Sequence, residues 1–102
     1  NADDYADYTF NVQSGLYSVY FRSRSDVDAG NDTLWVYHNG IEYDCRTSAT
    51  LAYTWWQLNT GFDISNTQQI NLVEGENTIR VILRETLHLD RIYITKNGDT
   101  PV

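Results

Sequence analysis

Three features of this 102-residue chain predict an all-β fold, an antiparallel β-sandwich. Apolar and polar residues alternate in several short runs, while no window of about eleven residues keeps a helical period. Aromatic residues are abundant, with eight Tyr, three Trp and three Phe, and such rings favour the pleated, half-buried surface of a strand. Between the runs stand Gly, Asn, Asp and Ser clusters, the residues that turn a chain. Together these predict about seven or eight short strands in two packed layers.

The first run alternates Tyr8, Phe10 and Val12 with Thr9 and Asn11. After Gln13-Ser14-Gly15 the longest run follows, with Tyr17, Val19 and Phe21 on one face and Ser18, Tyr20, Arg22 and Arg24 on the other. The short turn between these runs predicts that they pair as a hairpin. Leu34, Val36 and His38 then alternate with Thr33, Trp35 and Tyr37, and Asn39-Gly40 turns the chain into Ile41, Tyr43 and Cys45. From Tyr53 to Thr60, alternation places Trp56 and Leu58 inward and Tyr53, Trp55 and Gln57 outward. Gly61 to Thr67 reads as a loop, and Gln69 to Val73 as a short strand before the turn Glu74-Gly75-Glu76. Two last runs, with Ile79, Val81 and Leu83 and then Ile92 and Ile94 inward, flank Glu85-Thr86-Leu87. Continuing the second phase backwards puts Asp90 on the apolar side. A carboxylate there must be hydrogen-bonded, ion-paired or bound to a metal.

Composition narrows the function. A net charge of −7 disfavours a nucleic-acid partner and suits neutral ligands or cations. No apolar run approaches the roughly 20 residues of a membrane-spanning helix. The chain opens at Asn1 and closes on Thr100-Pro101-Val102, which reads as one domain, residues 1–102, of a longer polypeptide. Its one cysteine, Cys45, reads as a small strand residue. Asp26, Asp28 and Asp32 around Gly30 read first as turn chemistry. Alternating oxygen ligands in such a loop also suit calcium, although no Glu closes the pattern. Catalysis finds little support: Gly-x-Ser-x-Gly is absent, and neither His38 nor His88 has a patterned partner.

Outward aromatics carry more information. Rings flanked by amides, hydroxyls and acids suit sugars, whose C–H faces stack on aromatics while their hydroxyls seek polar partners. Tyr53 and Trp55 form one outward set, and Trp35 and Tyr37, with Tyr20 on a similar face of another strand, form a second.

The segments Tyr8–Val12, Gly15–Val19, Asn31–Val36, Trp56, Glu74–Ile79, Leu89–Ile92 and Thr100-Pro101 occur in an order that resembles carbohydrate-binding modules of families six and thirty-five. The resemblance implies a galactose-binding-like jelly-roll sandwich, without catalysis, on a secreted or cell-surface protein of bacterial type, where it holds a polysaccharide for attached domains. It places the sugar in a cleft at one end of the sandwich, against an aromatic from the region of Tyr53, Trp55 and Trp56. Trp55 is then the stacking platform and Tyr53 a second ring, with Arg84, Glu85 and His88 as polar contacts. His88 stands where the family commonly has Asn. Relatives that bind on a sheet face instead point to Tyr20, Trp35 and Tyr37. Asp90 matches an aspartate near a structural calcium, and the family's usual first strand, with further acidic residues, has no counterpart here. A sandwich short of a strand exposes an edge, which makes self-assembly into an extracellular filament or adhesin the alternative function.

Overall fold

A computed structural model describes residues 5–25, 33–47, 50–83, 87–96 and 99–101. The Asp26, Asp28 and Asp32 loop and the residues Arg84 and Glu85 lie outside the described residues. All regular structure among the described residues is strand. The described residues hold ten strands: β1 Tyr5–Val12, β2 Gly15–Ser25, β3 Thr33–His38, β4 Ile41–Arg46, β5 Thr54–Gln57, β6 Asn59–Thr60, β7 Asp63–Thr67, β8 Gln69–Leu72, β9 Gly75–Leu83 and β10 Leu87–Thr95.

Sheet one runs β1-β9-β3-β4, and sheet two runs β10-β2-β5 with β8 also paired to β2. Each pairing is antiparallel. The facing sides of the two sheets supply the core: Leu34, Val36, Cys45, Ile79 and Val81 from sheet one, Val19, Phe21, Trp56, Ile70, Leu72 and Leu87 from sheet two, and Leu58 beside β5. This is the alternation read from the sequence, realised as an antiparallel jelly-roll sandwich. Phe21 and Trp56 are register partners whose rings stack with centroids 4.8 Å apart. The indole of Trp56 donates to Ser23 Oγ at 2.8 Å, so its one polar atom is satisfied inside the core.

Two turns place consecutive residues in left-handed backbone. Asn39 and Gly40, at φ 50° and 78°, join β3 to β4 as their residue types predict. Gly61 and Phe62, at φ 71° and 54°, join β6 to β7. A phenylalanine in that region is costly and needs outside support. Strand β4 supplies it: the Phe62 N–H donates to Asp44 O at 2.7 Å, and Arg46 Nε donates to Phe62 O at 2.9 Å. The expected loop from Gly61 to Thr67 therefore contains a strand.

Two further expectations are corrected. Strands β1 and β2 do not form a hairpin; β1 pairs with β9 in sheet one and β2 lies in sheet two, because both need their apolar faces turned toward one shared core. Asp90 does not face inward. The register of β10 against β2 shifts between Leu89 and Arg91, leaving Asp90 as the extra residue of a β-bulge. The bulge reverses the alternation, so Leu87 and Leu89 face the core on one side of it, Ile92 and Ile94 on the other, and Asp90 turns outward.

Candidate end cleft and its two tyrosine rings

At one end of the sandwich, Tyr5, Ala6 and Tyr8 of β1, Val81 and Leu83 of β9, Leu87, His88 and Leu89 of β10, and Tyr53 ahead of β5 line a cleft of about 320 Å³. Its walls come from both sheets. Val81 and Leu87, almost wholly buried, give it an apolar floor. Tyr5 and Tyr53 stand at its rim, 60% and 39% exposed. The bulge at Asp90 accounts for this arrangement, since it turns Leu87 and Leu89 toward the floor and leaves His88 on the opposite phase.

Each rim tyrosine is held by an arginine that is itself held by an aspartate. Arg80 lies 4.1 Å from the centroid of Tyr5 and donates from Nε and Nη2 to the two carboxylate oxygens of Asp7, at 2.8 and 2.9 Å. Arg22 lies 4.9 Å from the centroid of Tyr53 and donates to Asp90; Arg24 stands over the same ring at 5.6 Å. None of the three arginines lines the cleft. These bonds to Arg80 hold the Asp7 carboxyl below its ordinary range. Burial, and secondarily the Asp90 carboxylate, push the Tyr8 phenol up, so it stays protonated and able to donate in the cleft wall. Rings of fixed orientation over an apolar floor, with a phenol and an imidazole alongside, can stack a pyranose and bond its hydroxyls.

The structure separates the residues expected to share this site. Tyr53 and His88 meet in the cleft. Trp56, expected among the sugar contacts, is instead core at 3% exposure, where no ligand reaches it. Trp55 projects from the outer face of sheet two, edge-on to Tyr93 at 6.4 Å, beside a hollow lined by Arg91, Tyr93, Thr100 and Pro101. The sheet-face set also divides. Tyr20 lies on sheet two against Tyr93, while Trp35 and Tyr37 occupy the outer face of sheet one, so the three do not share a surface. Sequence reasoning missed Tyr5, Tyr8, Arg22 and Arg80. Tyr5 and Asp7, two apart in the acidic opening segment, gave a signal only in combination with Arg80, and that pairing is long-range.

Among the described residues, the surroundings of Asp90 do not suit a calcium ion. Its carboxylate bonds Arg22 and has Arg91 Nε at 3.6 Å. Among the described residues no group of three His, Cys, Asp or Glu side chains is placed to hold a metal.

No protein-family profile matches this chain, and no curated protein matches it in sequence. Solved structures do match. The chain is similar to a GH26-CBM35 β-(1,4)-mannanase from Podospora anserina, with TM-score 0.77 and 19% identity over 99% of this chain. It is likewise similar to a ruminal GH26 endo-β-1,4-mannanase, with TM-score 0.72 and 15% identity over 97% of this chain. It spans only about a fifth of each, 21% and 19% of their lengths. A family 35 carbohydrate-binding module from Clostridium thermocellum matches with TM-score 0.62 and 18% identity, over 88% of this chain and 68% of its own. The likeness is one of fold: the chain is built as the jelly-roll of family 35 carbohydrate-binding modules.

Proposed function

We propose that this chain is a non-catalytic carbohydrate-binding module that takes a polysaccharide into the end cleft between Tyr5 and Tyr53. The carrying observation is the pair of exposed, arginine-backed tyrosine rings over an apolar floor. Support comes also from the shared fold with family 35 modules and with a mannanase whose name includes one. In this reading the module serves a longer, extracellular or cell-surface protein, since polysaccharides of that kind lie outside the cell. The mannanase matches make β-1,4-mannan the first ligand to try. Affinity electrophoresis of the chain in gels containing soluble mannan, glucan or galactan tests it. Retardation in one gel, lost in Tyr53→Ala with the melting temperature preserved, is the expected result. Unretarded migration of the folded wild type in every gel would sink it.

Self-assembly has one observation in its favour. Strands β1 and β10 each form one edge of their sheet, and a groove of about 510 Å³ between them is lined by Tyr8, Phe10, Val12, Ile92 and Ile94 among others. An exposed edge beside apolar side chains accepts a further strand. Sedimentation at rising protein concentration separates the readings, because an assembling module grows and a monomeric lectin does not.

A further inference from the structure

The outer face of sheet one is ordered into cross-strand rows. Register places Tyr5, Ile82, Trp35 and Asp44 in one row and Asp7, Arg80, Tyr37 and Glu42 in the next. A hollow of about 370 Å³ lies over these strands, lined by Asp7, Tyr37, Asn39, Thr78, Arg80 and Ile82 among others. Tyr5 lines the end cleft, and its register partner Ile82 lines this hollow. Arg80, a wall of the hollow, stands over the ring of Tyr5. The two depressions therefore share a rim.

From this adjacency we propose that cleft and hollow form one continuous track, which grips several consecutive residues of an extended, uncharged β-1,4-linked polysaccharide. The inference rests on the reading that the cleft takes sugar. Tyr5 and Trp35 stand on strands two apart in sheet one, about 10 Å at the usual strand spacing, which suits the two-residue repeat of a ribbon-like β-1,4 chain. Ile82 between them gives an apolar bed. The second row supplies the polar side: the Asp7–Arg80 pair, and the Tyr37 hydroxyl donating to Glu42. Thr9 and Thr78, whose hydroxyls bond at 3.0 Å, continue it. Sugar hydroxyls find donors and acceptors along this line. Charge sets the class of chain. Within the two rows Asp7, Glu42 and Asp44 face a single cation, Arg80, and the whole chain carries −7, so a polyuronate is repelled.

Isothermal titration of the 102-residue chain tests the track, using β-1,4-mannobiose and mannohexaose, cellobiose and cellohexaose, and polygalacturonate. One hexaose is expected to bind about tenfold or more tightly than its own disaccharide, the equivalent of one further stacked contact. Tyr37→Ala and Ile82→Thr should erase that gain and leave the disaccharide within about twofold of wild type. Tyr37→Phe, which keeps the ring in the hollow wall and loses only the hydroxyl, should retain part of it, so a general loss of fold is separated from loss of the track. Tyr53→Ala should weaken both lengths alike, the signature of the cleft. A hexaose no tighter than its disaccharide, or an unchanged Tyr37→Ala, overturns the track and leaves the cleft in place. Silence from every neutral ligand overturns both, and preferential binding of polygalacturonate overturns the assignment of an uncharged chain.

Discussion

Arg22 stands over the ring of Tyr53, 4.9 Å from its centroid, and is fixed there by the carboxylate of Asp90. A residue outside the cleft thereby orients one inside it. Asp90→Asn should weaken polysaccharide binding several-fold. The melting temperature should barely move, because a surface ion pair contributes about 0–1 kcal/mol. Affinity electrophoresis beside a thermal melt checks both halves; a large drop in stability would assign Asp90 to the fold instead.

Adjacent tryptophans should behave in opposite ways. Trp56 stacks on Phe21 and is 3% exposed, so Trp56→Ala should cost about 3–5 kcal/mol in urea unfolding. Trp55 faces out from sheet two, and Trp55→Ala should cost far less and leave binding at the end cleft intact.

Asn59, wholly buried, copies a strand with its side chain. Its Oδ1 accepts from the Arg46 N–H at 2.8 Å, while Nδ2 donates to Arg46 O at 3.0 Å and Gln57 O at 2.8 Å. Asn59→Ala orphans these backbone groups and should destabilise by about 3 kcal/mol. Chemical denaturation measures it, and Asn59→Leu, which restores volume but not bonds, should do no better.

Cys45 donates its thiol to Asn59 O at 3.1 Å, and burial pushes its pKa up to about 12. Thiolate is the reactive form, so native protein should resist iodoacetamide at mildly alkaline pH and label promptly in urea. Fast labelling of the folded chain would show that β4 opens readily.

Binding should also fade in acid. Arg80 holds the folded Asp7 carboxyl below its ordinary value of 3.8, so the contribution of the pair is complete above that unfolded value and is lost as pH falls through the lower folded one. Tyr5 then loses its ordered arginine. A binding titration should decline below about pH 4, and Asp7→Asn, weaker throughout, should show a smaller step.

Strand faces were legible because burial imposes period two: Val19 and Phe21, Leu34 and Val36, Ile79 and Val81, and Trp56 and Leu58 all lie where alternation places them. Partnership was not legible. Nothing local tells β1 to seek β9 rather than its neighbour β2, and nothing in Phe62 announces a left-handed turn that only β4 makes tolerable. The bulge left a trace in the switch of phase between Leu87, Leu89 and Ile92, Ile94, but only the pairing of β10 with β2 shows Asp90 to be the extra residue. The site followed suit. Tyr53 and His88 were visible as polar or aromatic residues near one end, whereas Tyr5 and Arg80 gain meaning only once β1 and β9 lie side by side and Arg80 meets Asp7, 73 positions away in sequence.

The cleft draws its walls from both sheets: β1 and β9 on one side, β10 and the approach to β5 on the other. A sugar seated there touches both halves of the sandwich at the end where the rim is open to solvent. Occupancy and folding are then thermodynamically linked, and a ligand at a hundred times its Kd adds about 2.7 kcal/mol to the native state. On the proposed reading, the chain held on a polysaccharide surface is more durable than the same chain in dilute solution.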